Sequence, residues 1–110
     1  MIIQSPTIIR TLDVSTAHIT FDENVLLERA AGYSGALRDG PISVPVTCVE
    51  GGFSISVPDR DEVVIAAGHF AVMGAPNVAK LLQAAAEHEC WYIRLTNDGD
   101  SYHDLPAFDW

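Results

Sequence analysis

Val63-Val-Ile-Ala-Ala-Gly-His-Phe-Ala-Val-Met-Gly74 is the stretch whose assignment sets the topology of this chain. Val63, Val64 and Ile65 are β-branched and favour a strand, while Ala66 and Ala67 are neutral, so strand, helix and loop all stand open here. Its flanks are easier to read. Pro58-Asp-Arg-Asp-Glu62 before it is a charged turn. After it, Pro76 fits the first position of a helix running to about Glu89, with Val78, Leu81, Leu82 and Ala85 on one stripe.

Upstream lie two short strands, Ile42 to Val49 and Phe53 to Val57, the second alternating Phe53, Ile55 and Val57 with Ser54 and Ser56. Glu50-Gly51-Gly52 between them supplies the positive φ of a tight hairpin, and Pro45 marks an edge or a bulge, because proline cannot donate to a ladder. The stretch from Tyr33 to Pro41 reads as loop. Before that, Thr7 to Ser15 reads as a first strand. Thr20 and Glu23 have the spacing of a capping box, opening a helix from about Asp22 to Ala31 that Gly32 stops. Downstream, Trp91, Ile93 and Leu95 alternate with Tyr92, Arg94 and Thr96 in a last strand that ends on Asn97-Asp98-Gly99. The expected fold is α+β, a small antiparallel sheet with two helices on one face, in βαββαβ-like order.

The chain has 110 residues, 48% of them apolar and 19% charged, which predicts one globular domain over residues 1–110 and argues against intrinsic disorder. Fifteen carboxylates against six Lys and Arg give a net charge of −9. Such a surface disfavours direct contact with nucleic acid or with an anionic membrane, both of which need cationic side chains. Cys48 and Cys90 are too few for a disulfide framework and are expected to be reduced, as small buried hydrophobes in a cytoplasmic protein. The first residues, Met-Ile-Ile-Gln-Ser-Pro, lack the pattern of a signal peptide.

Ser15-Thr-Ala-His-Ile-Thr20 entering a helix, Gly52-Phe53 and Val57-Pro58 in the middle, then Trp91, Asp98-Gly99 and Leu105-Pro-Ala-Phe-Asp-Trp110 resemble the uncharacterised domain-of-unknown-function family 5983. The resemblance implies a setting in short proteins of bacterial mobile elements, plasmids and phages. It implies no reaction and assigns no catalytic residue.

Ser15, Thr16 and His18 meet at a strand-to-helix junction, where exposed amides can hold an anion and Ser beside His can act as a nucleophile; the competing reading is capping and turn formation. His18, His69, His88 and His103 with Cys48 and Cys90 have no metal-site spacing, and the tail acids lack the calcium-loop pattern, so no metal and no cofactor are expected. The acidic groups are the stronger lead. Asp59, Asp61 and Glu62 crowd one loop, and Asp98, Asp100, Asp104 and Asp109 crowd a tail that has no Lys or Arg after Arg94. Clusters of this kind engage basic surfaces through steered, salt-sensitive association.

The expected partner-binding set is therefore Asp59, Asp61, Glu62, Asp98, Asp100, Tyr102 and Asp104. Tyr92, Tyr102 and Trp110 are candidate anchors, against a competing expectation of core packing for Trp91 and Trp110. Together with the resemblance, this reads as a binding protein: an inhibitor of anti-CRISPR or anti-restriction type that covers a basic nucleic-acid-binding surface of a host defence complex. The alternatives are an enzyme or small-ligand binder using Ser15 to His18 and an accessory protein that self-associates as a homo-dimer.

Overall fold

The computed structural model describes residues 8–33, 35–37 and 42–110. Chain order is β1 (Thr11–Ser15), a 3-10 turn (Thr16–His18), α1 (Phe21–Tyr33), β2 (Ala36–Leu37), β3 (Val44–Val49), β4 (Gly52–Ser56), α2 (Arg60–Val72), α3 (Pro76–Glu87) and β5 (Tyr92–Thr96). The strands form a sheet in the order β1-β5-β4-β3-β2. The α+β class is as expected, with two differences. β1 runs parallel to β5 while the other pairs are antiparallel, so the sheet is mixed. A third helix, α2, occupies most of the stretch that the sequence leaves open among strand, helix and loop.

The reason α2 is a helix lies in spacing and charge. Val63, Ala66, Ala67 and Phe70 fall at i, i+3, i+4 and i+7 and are all buried, and Asp61 and Glu62 sit in the first turn, where the helix dipole favours negative charge. One buried stripe outweighs three β-branched residues. The opposite side of α2 is also apolar, with Val64, Ile65 and Val72 exposed.

Both expected strands of the central hairpin form, joined at Glu50 and Gly51, where Gly51 takes a φ of +80°. Pro45 pairs with Ala36 of the two-residue β2, next to the sheet margin. The capping box also forms: the Glu23 amide donates to Thr20 Oγ1 at 3.2 Å and the Thr20 amide donates to Glu23 Oε1 at 3.0 Å. The first strand is shorter than expected, and Thr7 lies outside the described residues. So do Ser34 and residues 38–41 of the stretch read as loop, which also contributes β2.

The core is one cluster between the sheet and the helices, including Val14, Ile55, Ile93 and Leu95 from the strands and Leu27, Phe70, Leu81 and Leu82 from the helices. α1 and α3 share one face, tied by a hydrogen-bonded pair, Glu23 with Asn77, and α2 packs on α3. The other face carries the alternate residues. Register aligns Asp13, Arg94, Ser54 and Thr47 across it.

Candidate functional site

From Asp98 onward the chain folds back over the end of the sheet where β1 and β5 finish. In parallel sheets the space beyond the strands' carboxyl ends is the usual ligand position. Here the chain's own tail fills it. The Ser15 amide donates to the Asp100 carbonyl at 2.9 Å, the Tyr102 hydroxyl donates to the Asp13 carbonyl at 2.8 Å, and the Phe108 amide donates to the Ala17 carbonyl at 2.7 Å. Trp110 Nε1 donates to the Ile19 carbonyl at 2.9 Å, with its ring edge-on to Phe21 at a centroid distance of 5.8 Å.

His18 is the centre of this attachment. Its ring is 3% exposed, Nε2 accepts the Tyr102 amide at 2.9 Å, and Nδ1 lies 2.8 Å from the Pro106 carbonyl oxygen. An amide can only donate and a carbonyl can only accept, so the tautomer that satisfies both carries its proton on Nδ1. Ser15 Oγ accepts the Ala17 amide and so caps the 3-10 turn, and Thr16 Oγ1 donates to Asn97 Oδ1 at 3.0 Å. The three residues considered for ligand chemistry are thus brought together, buried, with their polar atoms turned to the turn, to Asn97 and to the tail.

The anchored backbone leaves its acids outside. Asp98, Asp100, Asp104 and Asp109 are exposed, and Tyr102 is half-buried. The Tyr102 phenol is held above the ordinary tyrosine range, first by burial and then by the negative charges of Asp100 and Asp13. One Asp13 carboxylate oxygen is buried with no partner among the described residues.

The second acidic group lies elsewhere. The Val57 amide donates to the Trp91 carbonyl at the start of β5, whereas the Asn97 amide donates to the Gly51 carbonyl at its end. Asp59, Asp61 and Glu62 therefore sit by the start of β5 and the tail by its end, separated by roughly 15 Å of strand. The two clusters form two surfaces.

Sequence reasoning missed three features. Trp91 and Trp110, expected in the core, are 54% and 51% exposed. Trp91 stands just before β5, and Trp110 buries its indole nitrogen side against Ile19 and Phe21 while its remaining area faces solvent. Cys48 is exposed on β3, whereas Cys90 is buried as expected; both are free. The third is a cleft of about 480 Å³ beside Trp91 and Tyr92. Among the described residues no group of three or more His, Cys, Asp and Glu is placed to hold a metal ion, and no helix is long and apolar enough to cross a membrane.

No curated protein and no solved structure matches the chain. Residues 11–110 match the model of a family of unknown function (DUF5983), C-terminal domain, a match that takes in the anchored tail, Gly99 and the His18 junction, and the chain belongs to that family.

Proposed function

We propose that this protein acts by binding, presenting Asp98, Asp100 and Asp104 on a preformed tail to a basic protein surface. The observation that carries the reading is the combination of a tail fixed by its backbone at Ser15, His18 and Ala17 and by the Tyr102 and Trp110 side chains at Asp13 and Ile19 with carboxylates that stay in solvent. Ordering these groups in advance removes much of the entropy cost of association. The net charge of −9 adds long-range steering toward a cationic partner.

The basic surface in question is the nucleic-acid-binding face of a bacterial defence complex, and the setting is the cytoplasm of a host carrying a phage or another mobile element. Occupying that face makes the protein an inhibitor of anti-CRISPR or anti-restriction type. Tyr102 borders the acids, and Asp59, Asp61 and Glu62 offer a second acidic surface for a larger partner.

The test is capture by tagged protein from lysates of bacteria with a CRISPR or restriction system, washed at low and high salt and challenged with duplex DNA. A stoichiometric basic partner that high salt or DNA releases is the expected result. Asp98→Lys, Asp100→Lys and Asp104→Lys together should abolish capture and leave the melting temperature within a few degrees. Capture that survives both DNA and the triple reversal overturns the reading.

A further inference from the structure

At the end of the sheet away from the tail, the chain entering α2 (Ser56 to Arg60) faces the chain leaving α3 (Glu89 to Tyr92) across the cleft of about 480 Å³. The Val57 amide to Trp91 carbonyl bond, 2.8 Å, ties its two sides. Three features of the lining point the same way. Trp91 and Tyr92 are both exposed, an unusual way to leave two large aromatic side chains beside a concavity. Glu89 is the one non-glycine residue with positive φ among the described residues, at +58°. It follows the end of α3, where glycine is the residue that takes this conformation without strain, yet a carboxylate stands there and lines the cleft. Asp59 precedes α2 in the N-cap position, but its side chain caps no amide and lines the cleft as well.

Charge decides what fits. Asp59 and Glu89 line the cleft with a single cation, Arg60, and Asp61, Glu62 and Glu87 follow in the adjoining helix turns. An anion is repelled, and a neutral apolar group leaves the carboxylates without partners. A guanidinium satisfies both parts of the lining, because its plane stacks on aromatic rings while its edge donates paired hydrogen bonds to carboxylates. We propose that this cleft binds an arginine side chain carried on an extended segment of a partner protein, stacked against Trp91 and Tyr92 and paired with Glu89 and Asp59. This site is separate from the tail surface and stands or falls independently of it.

The experiment is an NMR titration of the ¹⁵N-labelled full chain with acetyl-Gly-Arg-Gly-amide, with the same peptide carrying citrulline, and with guanidinium chloride. The Trp91 indole N–H should shift with the arginine peptide, while that of Trp110, bonded to Ile19 at the other end of the sheet, should not. Citrulline, which keeps the shape and loses the charge, should bind about tenfold more weakly. Glu89→Gly relieves the positive φ, so it should weaken binding about fivefold or more without loss of fold, which separates recognition from stability. Trp91→Ala should abolish the accompanying shifts of the Glu89 and Tyr92 backbone amides, and the Asp98, Asp100 and Asp104 reversals should leave the Trp91 response unchanged. Equal shifts from the arginine and citrulline peptides, or no Trp91 response at millimolar peptide, overturn the proposal. Guanidinium ion binding as tightly as the peptide also overturns it, since the site is then one for a free cation and not for a partner segment.

Discussion

Glu23 grips Asn77 at both ends: Oε2 accepts the Asn77 backbone amide at 2.9 Å and Oε1 accepts its side-chain Nδ2 at 2.8 Å. Oε2 also accepts the Val78 amide at 2.9 Å, and Oε1 takes the Thr20 amide and hydroxyl. The carboxylate is 1% exposed. It does for α3 what the residue before it cannot, since Ala75 has no side chain to cap with and Pro76 has no amide to satisfy. One side chain thereby caps the start of its own helix and the start of another, with the α3 dipole favouring its charge.

Removing that group should cost more than an ordinary cap. Glu23→Leu leaves the Asn77 and Val78 amides and Asn77 Nδ2 buried without an acceptor, at about 1–3 kcal/mol each before relaxation. Set against a typical total of about 5–15 kcal/mol, the variant should be largely unfolded or form a molten state. Glu23→Gln keeps one carbonyl oxygen but turns an NH₂ toward other donors, and should lose about 2–4 kcal/mol in urea unfolding. A Gln variant as stable as the parent would show that the buried charge is dispensable.

Gly99 sets the path of the tail. A Cβ placed there would fall onto the Val14 carbonyl and the Ser15 amide of β1, backbone atoms that cannot turn aside. Gly99→Ala should therefore either lift the tail from the sheet or shift β1 against β5. The expected loss is more than about 2 kcal/mol, read by thermal unfolding, together with a change in Trp110 fluorescence as its indole leaves Ile19. Unchanged fluorescence with lowered stability would place the adjustment in β1 instead.

Local pattern carried much of the fold. The Thr20 to Glu23 spacing, the Gly51 turn, Pro76 and the alternation of Ile93 and Leu95 each became the element they predicted. What was hidden was longer in range. Nothing local tells β1 to run parallel to β5, because partners some eighty positions apart leave no periodic trace. α2 was partly legible: Val63, Ala66, Ala67 and Phe70 have helical spacing, which three β-branched neighbours obscured. An uncapped Ala75 before Pro76 was a signal that some distant acceptor must reach α3, although it could not name Glu23. At the candidate surfaces, the acids were visible as two clusters in sequence. Their separation to opposite ends of β5, and the use of His18 as an anchor, depend on tertiary structure.

His18 should act on the tail alone. His18→Leu fills the site but leaves the Tyr102 amide and the Pro106 carbonyl without partners. These groups lie near the surface, so the tail can open to water at less cost than unfolding the sheet. Hydrogen exchange should accelerate at Tyr102 and Phe108 while Ile93 and Leu95 remain protected. Uniform acceleration at all four would make the tail part of the global folding unit. Binding through Asp98, Asp100 and Asp104 should weaken in the same variant, since its acids lose their fixed spacing.

Tyr102 predicts a specific response to alkali. Burial, followed by repulsion from Asp100, Asp13 and Cys90, raises its ionisation above the ordinary 10.0, so the folded state holds the phenolic proton after the unfolded chain has released it. The stabilisation linked to that difference is complete below the unfolded value and is lost as pH rises through the folded one. Urea unfolding followed from about pH 7 to about pH 11 should therefore show stability falling above about pH 10. Tyr102→Phe removes the hydroxyl bond to the Asp13 carbonyl and should cost about 1 kcal/mol at neutral pH. It should also fall less steeply above about pH 10 than the parent, and this difference isolates Tyr102 from the other groups that titrate in alkali. Parallel pH curves for parent and variant would mean that the phenol ionises alike in the folded and unfolded chain, and would remove the link between its charge and tail attachment.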